Sequence, residues 1–132
     1  MKITFKSLVK QPEAEDIKVE YPVESEYELY EDDKQNKYHA FSFRDNDKAK
    51  TKTRIEIHEK YVNIFRDSSS LFFELGKQRN DSTLDLGNGM TFPIITELEK
   101  VEIDDHHKKV HYKLLSINND LISECLIDIK HE

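Results

Sequence analysis

The sequence predicts an all-β fold: one domain over residues 1–132, a single antiparallel meander closing into a barrel of about 8–10 strands. Three observations carry that expectation. Apolar residues recur at every second position through most of the chain, polar turn clusters fall at hairpin distances, and alanine is scarce. Ile and Val together number 18, Phe and Tyr 13, and Ala only 3. β-Branched and aromatic side chains suit a pleated, half-buried surface, whereas alanine is the strongest intrinsic helix former.

The elements follow in order. Ile3, Phe5, Ser7 and Val9 alternate with Lys2, Thr4, Lys6 and Leu8, and Ile17, Val19 and Tyr21 alternate with Asp16, Lys18 and Glu20. Tyr27 and Leu29 sit between glutamates, His39, Phe41 and Phe43 form the next apolar row, and Ile55 and Ile57 the one after. Val62 and Ile64 lead to Arg66 with the same parity. Leu71, Phe73 and Leu75 follow, then Phe92, Ile94, Thr96 and Leu98, then Val110, Tyr112 and Leu114. The row of Leu121, Cys125, Ile127 and Ile129 comes last. A sustained repeat of two places one face of each strand in a core.

The 90–103 stretch slips from even positions up to Leu98 to odd ones at Val101 and Ile103, which predicts a bulge near Glu99-Lys100. Asn88-Gly89 reads as a tight hairpin turn, because both residues tolerate positive φ. Pro22 and Pro93 lack an amide donor and need edges, strand starts or bulges. The Lys/Asp-rich segment 45–52 is free of large apolar residues and reads as the most mobile loop.

Composition bounds the function. With 27 acidic and 20 basic residues the net charge is −7, which disfavours duplex DNA and anionic membranes as partners, since phosphate would be repelled over most of the surface. One cysteine excludes an internal disulfide framework and an all-cysteine metal site. The opening residues lack the apolar core of a signal peptide, and no run approaches about 18 apolar residues, so the expectation is a cytoplasmic protein with no membrane span.

The runs Tyr61-Val62-Asn63-Ile64-Phe65-Arg66-Asp67, Leu71-Phe72-Phe73-Glu74-Leu75-Gly76 and Leu86-Gly87-Asn88-Gly89, with Thr96 beyond and two long strands after it, resemble the YwiB-like proteins. These are small uncharacterised bacterial proteins with a calycin (lipocalin-like) β-barrel. Asp67 and Leu84 stand where that family's pattern often has glycine and tyrosine. The resemblance implies the barrel and a bacterial, cytoplasmic origin; it implies no activity.

Arg66 is the most informative candidate. If Val62 and Ile64 face the interior, its guanidinium enters too and becomes an anion anchor. The structural alternative is that Tyr61 and Phe65 form the buried side, so that Arg66 lies outside or passes the strand end to meet Asp67 or another internal carboxylate. Thr51, Thr53, Thr96, Tyr27 and His39, on the inward reading, add the few polar fixing points that an apolar cavity needs. Side-chain packing that fills a small barrel would use the same residues.

A second feature is the cationic segment Lys48, Lys50, Lys52 and Arg54, which on a strand would share one face. Residues 1–33 net −6, residues 34–79 net +5 and residues 80–132 net −6. This island would guide an acidic partner, or simply complement the acidic 24–33 stretch. It lacks the interleaved aromatics that nucleic acid stacking requires. His106, His107 and His111 suggest no metal centre, since positions 107 and 111 on a strand lie about 13 Å apart. Cys125 among isoleucines is a poor nucleophile. No cofactor motif occurs.

Two functional readings follow. One is a non-enzymatic barrel holding a small anionic or amphipathic ligand, in the barrel or at its mouth, through Arg66 and the interior hydroxyls. The other is a solid barrel that meets a protein partner through the 48–54 stripe or the acidic N-terminal region. Oligomeric state is not legible.

Overall fold

A computed structural model describes residues 1–85 and 89–132. Among them are eleven strands and no helix: β1 (Lys2–Lys10), β2 (Ile17–Glu24), β3 (Glu26–Glu31), β4 (Lys37–Arg44), β5 (Lys52–Ile57) and β6 (Tyr61–Arg66), then β7 (Ser69–Glu74), β8 (Gln78–Asp85), β9 (Thr91–Ile103), β10 (His107–Leu115) and β11 (Leu121–His131). They form one antiparallel sheet in the order β2-β1-β11-β10-β9-β8-β7-β6-β5-β4-β3. From β3 to β11 each strand pairs with its chain neighbour, and β1 and β2 return to extend the sheet beyond β11.

The count exceeds the expected 8–10 because β8 (Gln78–Asp85) carries almost no apolar alternation and forms no row in the sequence pattern, while 17–31 is divided at Ser25 as its two rows predict. β2 pairs with β1, and β3, one residue later, pairs with β4. The two edges of the sheet are therefore neighbours in sequence. The sheet curls into a half-barrel whose edges meet at a corner, with no ladder between β2 and β3. Ser25 holds that corner: its N–H donates to the Met1 carbonyl (2.8 Å) and its Oγ to the Ser42 carbonyl (3.2 Å).

The alternation settles the faces. His39, Ile57, Val62 and Phe73 stand side by side across four strands, as do Phe41, Ile55, Ile64 and Leu71. Phe41, Ile57, Val62 and Phe73 are fully buried, joined by Ile3, Ile94, Val110, Tyr112 and Ile129. Burying each such aliphatic or aromatic side chain contributes about 1.5–3 kcal/mol. This packed cluster fills the concave face.

The predicted slip in β9 is real. Lys100 opposes His111 and Leu98 opposes Tyr112, so Glu99 is the extra residue of a bulge. Pro22 lies on the edge strand β2, and Pro93 lies before the first β9 residue paired with β10. The Asn88 half of the expected turn lies outside the described residues; Gly89 has φ +77°.

Two expectations need correction. Lys48 and Lys50 do not share a strand face with Lys52 and Arg54, because β5 begins only at Lys52. Asp47 instead closes a local turn: its side chain accepts from the Thr51 N–H (3.0 Å) and Oγ1 (2.8 Å), and its carbonyl from the Lys50 N–H (3.1 Å). Side-chain-to-backbone bonds of this kind compete with ladder formation. The 45–52 segment, expected to be loose, is pinned by that turn and by Arg66.

Candidate functional site

Two strand edges that diverge from Ser25 leave a window in the barrel wall. It is a cleft of about 960 Å³ between β2 and the end of β4. Val23, Tyr27 and Phe43 supply apolar wall, Arg44 and Lys52 stand on the β4–β5 side, and Glu24 and Glu26 on the other. Inner-face parity brings Val23, Tyr27 and Phe43 to the opening, while strand pairing sets Arg44 opposite Lys52. Among the described residues neither cation has a carboxylate within ion-pair distance; Arg44 donates to the Lys50 carbonyl (3.1 Å).

One polar network frames the end of the window away from Ser25. Arg66 is half-exposed at the end of β6, beyond the buried Ile64, and its guanidinium turns to Asp45 (Nε, 2.6 Å) and Asp47 (NH2, 3.0 Å). Asp67, the partner suggested by proximity in sequence, takes neither bond. Asp45 Oδ1 also accepts from Thr53 Oγ1 (2.7 Å) and from the Tyr21 hydroxyl (3.5 Å). Tyr21 thereby links the β2 edge to the β4–β5 loop. Burial, reinforced by the Asp45 charge, pushes the Tyr21 phenol up to about 12, so it stays a donor. The Asp47 carboxyl is held below its ordinary value, chiefly by the Thr51 backbone N–H.

A second network frames the near end. The Tyr27 hydroxyl and His39 Nδ1 are 2.8 Å apart, and the Tyr27 ring faces His39, Phe41 and His131. Sequence reasoning therefore named Tyr27, His39, Arg66, Thr51 and Thr53, and the structure divides them between two frames. Thr96 belongs to neither. It is fully buried and donates to the Phe72 carbonyl (2.6 Å). Arg54 is committed to Glu28 and Glu56, each at 2.8 Å. Lys52 lines the window.

The residues missed were Val23, Phe43 and Arg44. Phe43 was legible as core and Arg44 as a strand end. Their joint exposure to a cleft depends on where β3 stops, which no local pattern encodes. Lys108 was missed as well. It is almost fully buried, at 3% exposure, although its alternation on β10 marks it as inward.

The remaining histidines are dispersed. His107 Nε2 lies 2.5 Å from Asp128, and His111 Nε2 lies 3.7 Å from Glu124. No group of three or more His, Cys, Asp or Glu side chains suited to a metal ion occurs among the described residues. Cys125 is buried beside Ser123 and Tyr112, and burial pushes its thiol pKa up. Among the described residues no helix is long and apolar enough to cross a membrane.

The eleven strands form a half-barrel whose two edge strands, β2 and β3, follow one another in the chain through Ser25. The YwiB protein from Bacillus subtilis shares this fold. Its crystal structure superposes with a TM-score of 0.67 at 12% sequence identity, covering 99% of this chain and 90% of that one. No family model matches the sequence, and no curated protein matches it either. At this identity the likeness to YwiB is one of architecture.

Proposed function

We propose that this chain is a non-enzymatic, cytoplasmic bacterial binding protein that takes a small amphipathic molecule with an anionic group in the window beside Ser25. The observation that carries the reading is the cleft itself. About 960 Å³ of space is bounded by Val23, Tyr27 and Phe43 together with Arg44 and Lys52, neither of which has a carboxylate within ion-pair distance among the described residues. Apolar walls with a few polar fixing points are what small-molecule sites share. The window sets apolar side chains and two cations against Glu24 and Glu26, a mixture suited to holding an amphipathic molecule. Arg66 enters this reading as the clamp that holds the frame, while Arg44 and Lys52 take the anchoring part. A free buried thiol supports a reducing compartment.

The test is calorimetric titration with dodecanoate, a single-chain carboxylate, beside dodecyltrimethylammonium, which reverses the head charge. Dodecanoate is expected to give a saturable isotherm. The double variant Arg44→Gln/Lys52→Gln should weaken it about tenfold, as two partly exposed charge contacts would. Equal binding of the cationic amphiphile, or an unaltered isotherm in the double variant, refutes the reading.

A second reading is favoured by one observation. The edge strand β3 exposes Tyr27, Leu29 and Tyr30, with Leu29 at 55%. An extended segment of a protein partner could add there as a further strand. It predicts an assembly that Leu29→Asp on β3 abolishes; an assembly unchanged in that variant rejects it.

A further inference from the structure

The barrel mouth at the His39 end carries a cluster that the window reading does not use. Lys108 is buried, and its ammonium donates to the carbonyls of Asp104 (2.5 Å) and Asp105 (3.4 Å) and to His131 Nε2 (2.8 Å). His131 Nδ1 lies 3.0 Å from the Glu132 carbonyl oxygen. A carbonyl only accepts, so the His131 proton sits on Nδ1 and Nε2 is left to accept from Lys108. Three acceptors meet three donors, while burial lowers the Lys108 pKa against the opposing pull of Asp105 and Asp104. Among the described residues no carboxylate lies within ion-pair distance of it. Its positive field is therefore balanced by backbone dipoles and by the more distant Asp104 and Asp105.

That field falls on a cleft of about 500 Å³ lined by Lys37, His39, His58, Glu59, Val101 and Ile103. His58 Nδ1 accepts from the Lys60 backbone N–H (3.1 Å), so its ring proton sits on Nε2. The Tyr27 hydroxyl lies 2.8 Å from His39 Nδ1, so His39 Nε2 is the ring nitrogen left to face the cleft. Lys37 has no carboxylate within ion-pair distance among the described residues. Two imidazole rings and an ammonium thus belong to one cleft, beside the apolar wall of Val101 and Ile103. The His39 pKa is lowered first by burial and then by the neighbouring Lys108 and His131. The opposing groups are Glu59 on the rim and Glu31, the cross-strand neighbour of Lys37.

We propose that this mouth is a second site, separate from the window, which binds a small oxyanion through Lys37, His39 and His58 with Lys108 as the buried counter-charge behind them. The chemistry shared by its ligands is a compact carboxylate or phosphate group, held by Lys37 and the imidazoles on the side away from Glu59.

The experiment is NMR of the six histidine rings in the full chain at pH 7.5. Inorganic phosphate forms one arm and acetate the other, with chloride holding ionic strength constant. Saturable shifts confined to His39, His58 and the adjoining His131 are expected in at least one arm, and the tighter arm names the source. Lys37→Gln, at an exposed position, and His39→Gln should each weaken binding about 3- to 5-fold, as loss of a partly exposed contact does. Arg44→Gln/Lys52→Gln should leave it unchanged, which separates this site from the window. Shifts that grow linearly, shifts at His106 and His111 to the same extent, or unaltered affinity in both variants would overturn the proposal.

Discussion

Replacing Arg66 by leucine discriminates most sharply between a clamp and an anchor. The guanidinium is 48% exposed but its nearer partner, Asp45, is only 14% exposed. A hydrogen bond to a charged group contributes about 1.5–3 kcal/mol when shielded, and an exposed ion pair about 0.2–1 kcal/mol. Taking the Asp45 contact near the lower shielded value and the Asp47 contact as exposed, the loss is about 2 kcal/mol. At about 3–5 °C per kcal/mol for a domain of this size, Tm should fall by about 6–10 °C. Urea unfolding should show a lower midpoint at unchanged slope. Asp45→Asn removes the same charge contact from its other end, so the double variant should be less destabilised than the two single losses added together. The coupling should shrink as salt rises. A leucine variant with the parental midpoint that no longer binds dodecanoate would refute the clamp and make Arg66 a ligand anchor.

Other outcomes follow from the same geometry. The folded-state pKa values of His39 and His131 lie below the ordinary imidazole value of 6.5. The unfolded chain then takes up these protons first, so the stability they contribute is full above pH 6.5 and is lost as pH falls through the lowered native values. Urea midpoints at pH 7.5 and 5 should differ, and His131→Gln should narrow the gap; an unchanged gap in that variant counts against the Lys108–His131 arrangement. The Asp47 contribution sits in a lower window, present above its ordinary 3.8 and lost as pH falls through its depressed value, so Asp47→Asn should lower the urea midpoint at neutral pH and flatten its fall on the acid side. Thr96→Val keeps the shape of a fully buried side chain but removes its bond to Phe72. A loss of about 1 kcal/mol in stability with dodecanoate binding intact is expected, and loss of binding would return Thr96 to the site. Phe73→Ala, at a fully buried ring 4.6 Å from Tyr112, should cost about 3–5 kcal/mol in unfolding free energy; less than 1 kcal/mol would mean the concave face is not the core.

Much of the architecture was legible because alternation is a local signal. Parity along β4 to β7 assigned Phe41, Ile55, Ile64 and Phe73 to one face. The phase slip at Glu99 marked a bulge from the residues on either side of it. Parity failed at Arg66, where it pointed inward: the strand ends there, and a long side chain at an end can turn toward whatever acceptor the next layer offers. It failed differently at Lys48 and Lys50, where an aspartate four residues before Thr51 captured the backbone first. Lys108 was passed over because alternation marks a position as inward without naming the carbonyls that make a buried ammonium tolerable.

The amino-acid order by itself determined that this chain forms strands, which side of each strand is dry and where one of them bends, since these depend on neighbours two to four residues apart. Only the folded sheet decided that its two edges converge at Ser25, that Asp45 and Asp47 take Arg66 from 21 and 19 residues away, and that Lys108 meets His131. Those contacts join residues whose separation is set by the twist and curl accumulated over eleven strands, a quantity that no short stretch of chain contains.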